Sequence, residues 1–219
     1  MRLLPLVSSA LVLALSGTAF AQDWTEFSSR DDHFTITFPG QPKITETTWT
    51  SQFNAILPAR VYSGTAGSGR YSVTVVDYNP DERLLTERSR TLPALDLAIH
   101  DYGPGYWKTD VRSAVMFATS KFLQRPDARM TSVLSNFSDG VVGVVAELTN
   151  NADQSRTLAS IYMHMNRLVI TEATVPKGYP APVIFQQSLG WLDEEGKRIR
   201  YQVMNYNEPD APRPTGRGR

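Results

Sequence analysis

From Trp24 onward the chain alternates apolar and polar positions. Trp24 and Phe27 open a first predicted strand, and Phe34, Ile36 and Phe38 then occupy every second position with Thr35 and Thr37 between them. Period two puts the three apolar side chains on one face and the threonines on the other, as in a half-buried antiparallel strand. Pro39 ends the run because it has no N–H for a ladder, and Gly40 tolerates the turn that follows. The pattern resumes in "ITETTWTS" from Ile44, "LPARVYSG" from Leu57 and "RYSVTVVDY" from Arg70. The "GTAGSG" between the last two, Gly64 to Gly69, has neither phosphate-loop spacing nor a following Lys-Ser/Thr pair, so it reads as a hairpin loop.

The period changes in the middle. Short helical candidates run from Pro80 through Tyr102, and a longer helix is predicted over Trp107 to Gln124. There Trp107, Val111, Ala114, Val115, Ala118 and Phe122 recur on one side and Pro126 stops continuation. Strands return over Met130–Phe137, Val141–Thr149, Thr157–Met165 and Leu168–Val175, separated by the turn-forming stretches Asn136–Gly140 and Asn150–Asp153. A last helix is expected after Pro180 and Pro182, with Phe185, Leu189 and Leu192 at helical offsets and Gly190 as a cap or kink. Strands joined by short connections, with helices interposed, predict the α+β class: a single antiparallel sheet flanked by helices, in the order strands–helix–strands–helix.

The first residues add a compartment. A short charged start, an apolar run from Leu3 to Leu15 and the tripeptide Ala19-Phe20-Ala21 have the form of a secretory leader. Residues 1–21 are therefore expected to be a signal peptide cleaved before Gln22, leaving one domain over 22–206 and a disordered tail over 207–219, where Pro and Gly abound without apolar anchors. The mature protein is expected in the periplasm or secreted, with no membrane span. The chain has no cysteine, which removes thiol catalysis, CxxC redox work and thiolate metal sites. Its 22 basic and 22 acidic residues balance, so nothing points to nucleic acid.

"HFTITFPGQPK", His33 to Lys43, resembles the F-x-V-x-F-P-G-x-P signature of exported bacterial proteins of unknown role, several of which have the PsbP-like fold. The later stretches "LTNNADQSRTLASIYMHMNRLVI" and "TVPKGYPAPVIFQQSLGWLDEEG" resemble uncharacterised periplasmic proteins of Gram-negative bacteria. The resemblance implies an antiparallel sheet flanked by helices and an accessory or binding role. It brings no catalytic motif with it.

The motifs that carry chemistry agree. No H-x-H, H-E-x-x-H, calcium loop or G-x-S-x-G occurs, so no catalytic residue, cofactor or metal site is expected. Of the three histidines, His33 precedes a strand and His100 sits beside Asp101. His164 in "IYMHM" is read as a half-exposed strand residue rather than a base or ligand. Glu147 and Glu172, inside otherwise apolar strands, are expected to face solvent, and "DEEG" at Asp193 to Gly196 to be an acidic turn. The candidate contact surface is "HDYGPGYWK", where Tyr102 and Tyr106 could anchor a partner while Trp107 starts the helix in the core; alternatively, both tyrosines only cover its edge. The expected function is that of an exported accessory or binding protein with an unidentified protein or cell-envelope partner. Its rivals are a periplasmic enzyme built from scattered Asp, Glu and His, and a small-molecule or lipid carrier.

Overall fold

The structure is a computed structural model that describes residues 23–91 and 105–210. The expected signal peptide, Tyr102, His100 and the last nine residues lie outside the described residues. Eleven strands and three helices are present among the described residues. They are β1 (Trp24–Ser29), β2 (Phe34–Pro39), β3 (Lys43–Thr50), β4 (Ile56–Ala66), β5 (Gly69–Asp77), α1 (Asp81–Ser89), α2 (Tyr106–Leu123), β6 (Ala128–Ser138), β7 (Val141–Asn150), β8 (Arg156–His164), β9 (Arg167–Val175), α3 (Val183–Gln187), β10 (Gly190–Leu192) and β11 (Arg198–Ile199).

The strands form two antiparallel sheets rather than one. The large sheet has the order β3-β4-β5-β9-β8-β7-β6, and the small one β1-β2-β10-β11. The split occurs at the proline-rich turn. Pro39 and Pro42 cannot donate to a ladder, so the chain leaves the small sheet after β2 and enters the large one at β3. The small sheet is completed only near the C-terminus, where Gly190 pairs with Thr35 and Trp191 with Phe34.

The last predicted helix is also corrected. It spans only Val183–Gln187, and Gly190–Leu192 is a strand. Gly190 packs so closely on the Arg198 guanidinium that a Cβ would stand 2.9 Å from it, which suits a strand in contact with β11 and not a helix. Trp191 then becomes the centre of the small sheet's core, wholly buried, its indole N–H donating to the Ser138 carbonyl at 2.7 Å.

Each face of the large sheet carries one layer. On one face Leu57, Ala59, Val76, Ala146, Leu148, Ala159, Ile161 and Leu168 pack against Trp107, Val111, Ala114, Val115, Ala118 and Phe122 of α2 and Leu85 of α1. On the other, Tyr62, Tyr71, Val73, Val75, Tyr162 and Val169 meet Phe34, Ile36, Phe38, Phe185 and Trp191. The central pair β5–β9 shows that the two layers are offset. The helices cover its end at Val76–Leu168, and the small sheet covers the stretch from Tyr71–Ala173 to Val75–Val169. Polar side chains therefore occupy the uncovered ends: Arg70, Ser72, Glu172 and Thr174 on the helix side, Asp77 and Arg167 on the other.

Asp139-Gly140 turns β6 into β7 with both residues at positive φ (44° and 88°), the backbone a tight two-residue hairpin requires. The C-terminal segment straps this corner. Asn205 exchanges backbone hydrogen bonds with Val142 and Gly140, Glu208 pairs with Arg112 at 2.8 Å, and Asp210 is held by the Asn166 side chain. The tail expected from Asn207 onward is thus tied down over its first four residues.

Candidate functional site

The uncovered end of the small-sheet face forms a groove of about 230 Å³ lined by Asp31, Asp32, Glu46, Arg60, Asp77 and Arg167. A second, more open groove of about 500 Å³ adjoins it across Asp31, Glu46 and Arg60, and reaches Arg30 and Tyr62. Five elements supply these groups. The β1–β2 turn brings Asp31 and Asp32, β3 and β4 bring Glu46 and Arg60 as direct cross-strand partners, and β5 and β9 bring Asp77 and Arg167 in the same way.

The groove's inner wall is fixed before anything binds. Asp32 is only 6% exposed, and both of its carboxylate oxygens are hydrogen-bonded. Tyr62 donates to its Oδ2 at 2.5 Å, Arg60 to its Oδ1 at 3.0 Å, and Ser29 lies 3.0 Å from the Tyr62 hydroxyl. Burial pushes the Tyr62 phenol up to about 12, and the hydrogen bond to Asp32 adds to it, so Tyr62 stays a neutral donor across the physiological range. The outer wall is acidic: Asp31 and Glu46 are exposed, and the enclosed part of the groove holds four acids against two arginines. Such a groove attracts a basic group and orients it on a rigid floor.

The residues singled out from the sequence lie elsewhere. Tyr106 is the first residue of α2, half-buried, with its ring 5.7 Å from Phe53 and packed on the helix-side core. It serves as the edge of that core. His164 is buried, not half-exposed: the small sheet covers the face that alternation left to solvent. Its Nε2 lies 2.9 Å from the Tyr201 hydroxyl and its ring 4.8 Å from that of Trp191. Glu172 is gripped at both oxygens by Arg125 (3.0 and 2.6 Å), and Glu147 stands 3.6 Å from Arg156. Asp193 caps its own turn, accepting from the Lys197 amide at 2.7 Å. Among the described residues no three His, Cys, Asp or Glu side chains converge as metal ligands, and no helix is long and apolar enough to cross a membrane.

Two buried acids escaped the sequence reading. Asp81, first residue of α1, and Asp110, in the second turn of α2, are both fully buried. Asp110 had a legible signal, since it falls between Trp107 and Ala114 on the apolar stripe. Both lie sealed in the helix-side core, away from the groove.

No protein-family model and no curated protein matches the chain. Among solved structures it is similar to the solution structure of cyanobacterial PsbP (CyanoP) from Synechocystis sp. PCC 6803. The identity is 16% and the TM-score 0.44, and the match covers 82% of this chain and 98% of that one.

Proposed function

We propose that this chain is an exported accessory protein, working in the periplasm or outside the cell, that binds a partner through basic side chains and performs no chemistry of its own. The observation that carries the reading is the acidic groove whose floor is set by Asp32, Tyr62, Ser29 and Arg60. A lysine or arginine of a partner protein would find Asp31 and Glu46 at its mouth without having to order the site first, which lowers the entropic cost of binding. The leader-like pattern of residues 1–21 supports the compartment.

The test uses the mature chain as bait in an envelope fraction of its native host, with cross-linking and mass spectrometry. Beside it runs a charge-reversed form, Asp31→Lys with Glu46→Lys, shown by circular dichroism to be folded. A partner held by the wild type should be lost by the variant, and its capture should weaken as ionic strength rises. The same proteins captured equally by both forms would sink the reading.

A further inference from the structure

Asp81 and Asp110 present an arrangement that the groove does not use. Neither Asp81 oxygen has a hydrogen-bond partner, nor does Asp110 Oδ1, and Tyr78, itself 1% exposed, lies within their electrostatic reach. Tyr78 follows β5 and feels both carboxylates electrostatically, Asp110 more than Asp81. Three unpartnered carboxylate oxygens, two from α1 and one from α2, are therefore buried within electrostatic reach of one another and of Tyr78. Asp110 is fixed on its other side: its Oδ2 accepts from the Ser51 hydroxyl, and the amides of Phe53 and Gln52 favour its charge. These three residues belong to the β3–β4 turn. The Trp49 indole of β3 stands against the Tyr78 hydroxyl, and Lys121 of α2 rests over the Trp49 ring, 4.8 Å from its centroid.

Two carboxylates with no opposing charge at hand cannot both ionise cheaply in such a place. We propose that this enclosed acid pair is a proton-operated latch: it holds α1 against α2 and the β3–β4 turn while it keeps a proton, and lets α1 lift when both carboxylates ionise. The small helix is the element able to move. Its buried residues are Asp81 and Leu85 alone, and its Arg83–Glu87 pair lies in solvent.

The direction of the response follows from the acids. Burial, then the charge of Asp110, pushes Asp81 up to about 8, and burial pushes Asp110 up to about 6. Both lie above the ordinary 3.8, so the folded chain holds protons that the unfolded chain has released. The stability that the latch contributes is complete below about pH 4 and is lost as pH rises through 6 and then 8.

Hydrogen exchange of the full mature chain, expressed as protection factors to remove the intrinsic pH dependence, tests this between pH 5.5 and 8.5. Protection over Asp81–Ser89 should fall about tenfold or more across that range, the equivalent of one pKa unit. The fall should exceed that of the central strands and vanish in Asp81→Asn. Carboxyl carbon NMR on the wild type gives a second readout that needs no variant to fold, with the Asp81 signal titrating above pH 6. A midpoint below about 5, within the ordinary range for an aspartate, would overturn the proposal. So would protection of α1 that does not change with pH, or an Asp81→Asn chain that keeps the wild-type pH dependence.

Discussion

Replacing Gly143 by alanine tests the packing of the large sheet directly. Gly143 lies on β7 opposite Tyr162, and a Cβ there would stand 2.2 Å from the Ile161 carbonyl oxygen and 2.3 Å from Tyr162 Cδ1. Neither neighbour has room to give. Ile161 is wholly buried in β8, paired with Val144 on one side and Ile170 on the other. The Tyr162 ring is held by Asn136 at its hydroxyl (3.2 Å) and by the Trp191 ring, 5.7 Å away. Overpacking of a tight core costs about 1–3 kcal/mol, and displacing the ladder forfeits roughly 1 kcal/mol for each hydrogen bond lost. Alanine's smaller backbone entropy in the unfolded chain returns about 0.4–1 kcal/mol. The net expected loss is about 2–4 kcal/mol, read from equilibrium urea unfolding followed by tryptophan fluorescence. Gly64→Ala is the control, because its Cβ would meet nothing nearer than 3.4 Å, and it should leave stability unchanged or raise it by up to about 1 kcal/mol. Equal, small effects at both sites would refute the account of strand packing.

Three further outcomes are expected. Tyr62→Phe removes a donor from the buried Asp32 carboxylate while Arg60 remains, and should lower stability by about 1.5–3 kcal/mol in urea unfolding; no change would mean that the groove floor is not preset. A chain ending at Tyr206 loses both Asn166–Asp210 hydrogen bonds and the exposed Arg112–Glu208 pair, and should lose about 1–2 kcal/mol in thermal unfolding, a loss that an inert tail would not produce. His164→Ala opens a cavity beside Trp191 and frees Tyr201, and should cost about 2–4 kcal/mol; a loss under about 1 kcal/mol would argue against a packed imidazole.

What the sequence shows and what it hides divide along physical lines. Local periodicity was readable. The stripe from Trp107 to Phe122 places α2 within a residue of its observed start and end, and the alternation of Phe34, Ile36 and Phe38 places β2. The division into two sheets was not readable, because it depends on Gly190 and Trp191 pairing with Thr35 and Phe34 from the far end of the chain. That one non-local contact explains several misreadings. It makes Gly190–Leu192 a strand although Phe185, Leu189 and Leu192 satisfy helical offsets, and it buries His164 on a face that a single sheet would leave wet. The groove was equally hidden, since Asp31, Glu46, Arg60, Asp77 and Arg167 meet only through strand register. Tyr106 was chosen on residue type, and its type serves the core edge as well as it would serve a partner.

The offset of the two layers explains where a binding surface can lie. Seven strands at about 4.8 Å spacing make a sheet roughly 29 Å wide, and strands of this length run roughly 30 Å or more. The helix layer is one long helix of about 27 Å and a short companion, each about 10 Å across, so it cannot cover such a face. The small sheet, with strands of six residues or fewer, covers about as little. Each layer therefore leaves one end of the large sheet bare, and the bare ends must be polar to be stable in water. Their charges are arranged differently. On the helix side the Arg125 guanidinium closes on both oxygens of Glu172, so the best-placed charges there already satisfy each other. Across the sheet, Arg60 is committed to Asp32, while Asp31, Glu46 and Asp77 ring the same groove with only Arg167 beside them. The larger surplus of negative charge lies on that side, over a fixed floor, which is why charge reversal at Asp31 and Glu46, and not at Arg125 or Glu172, is the perturbation that should separate a binding protein from a merely stable one.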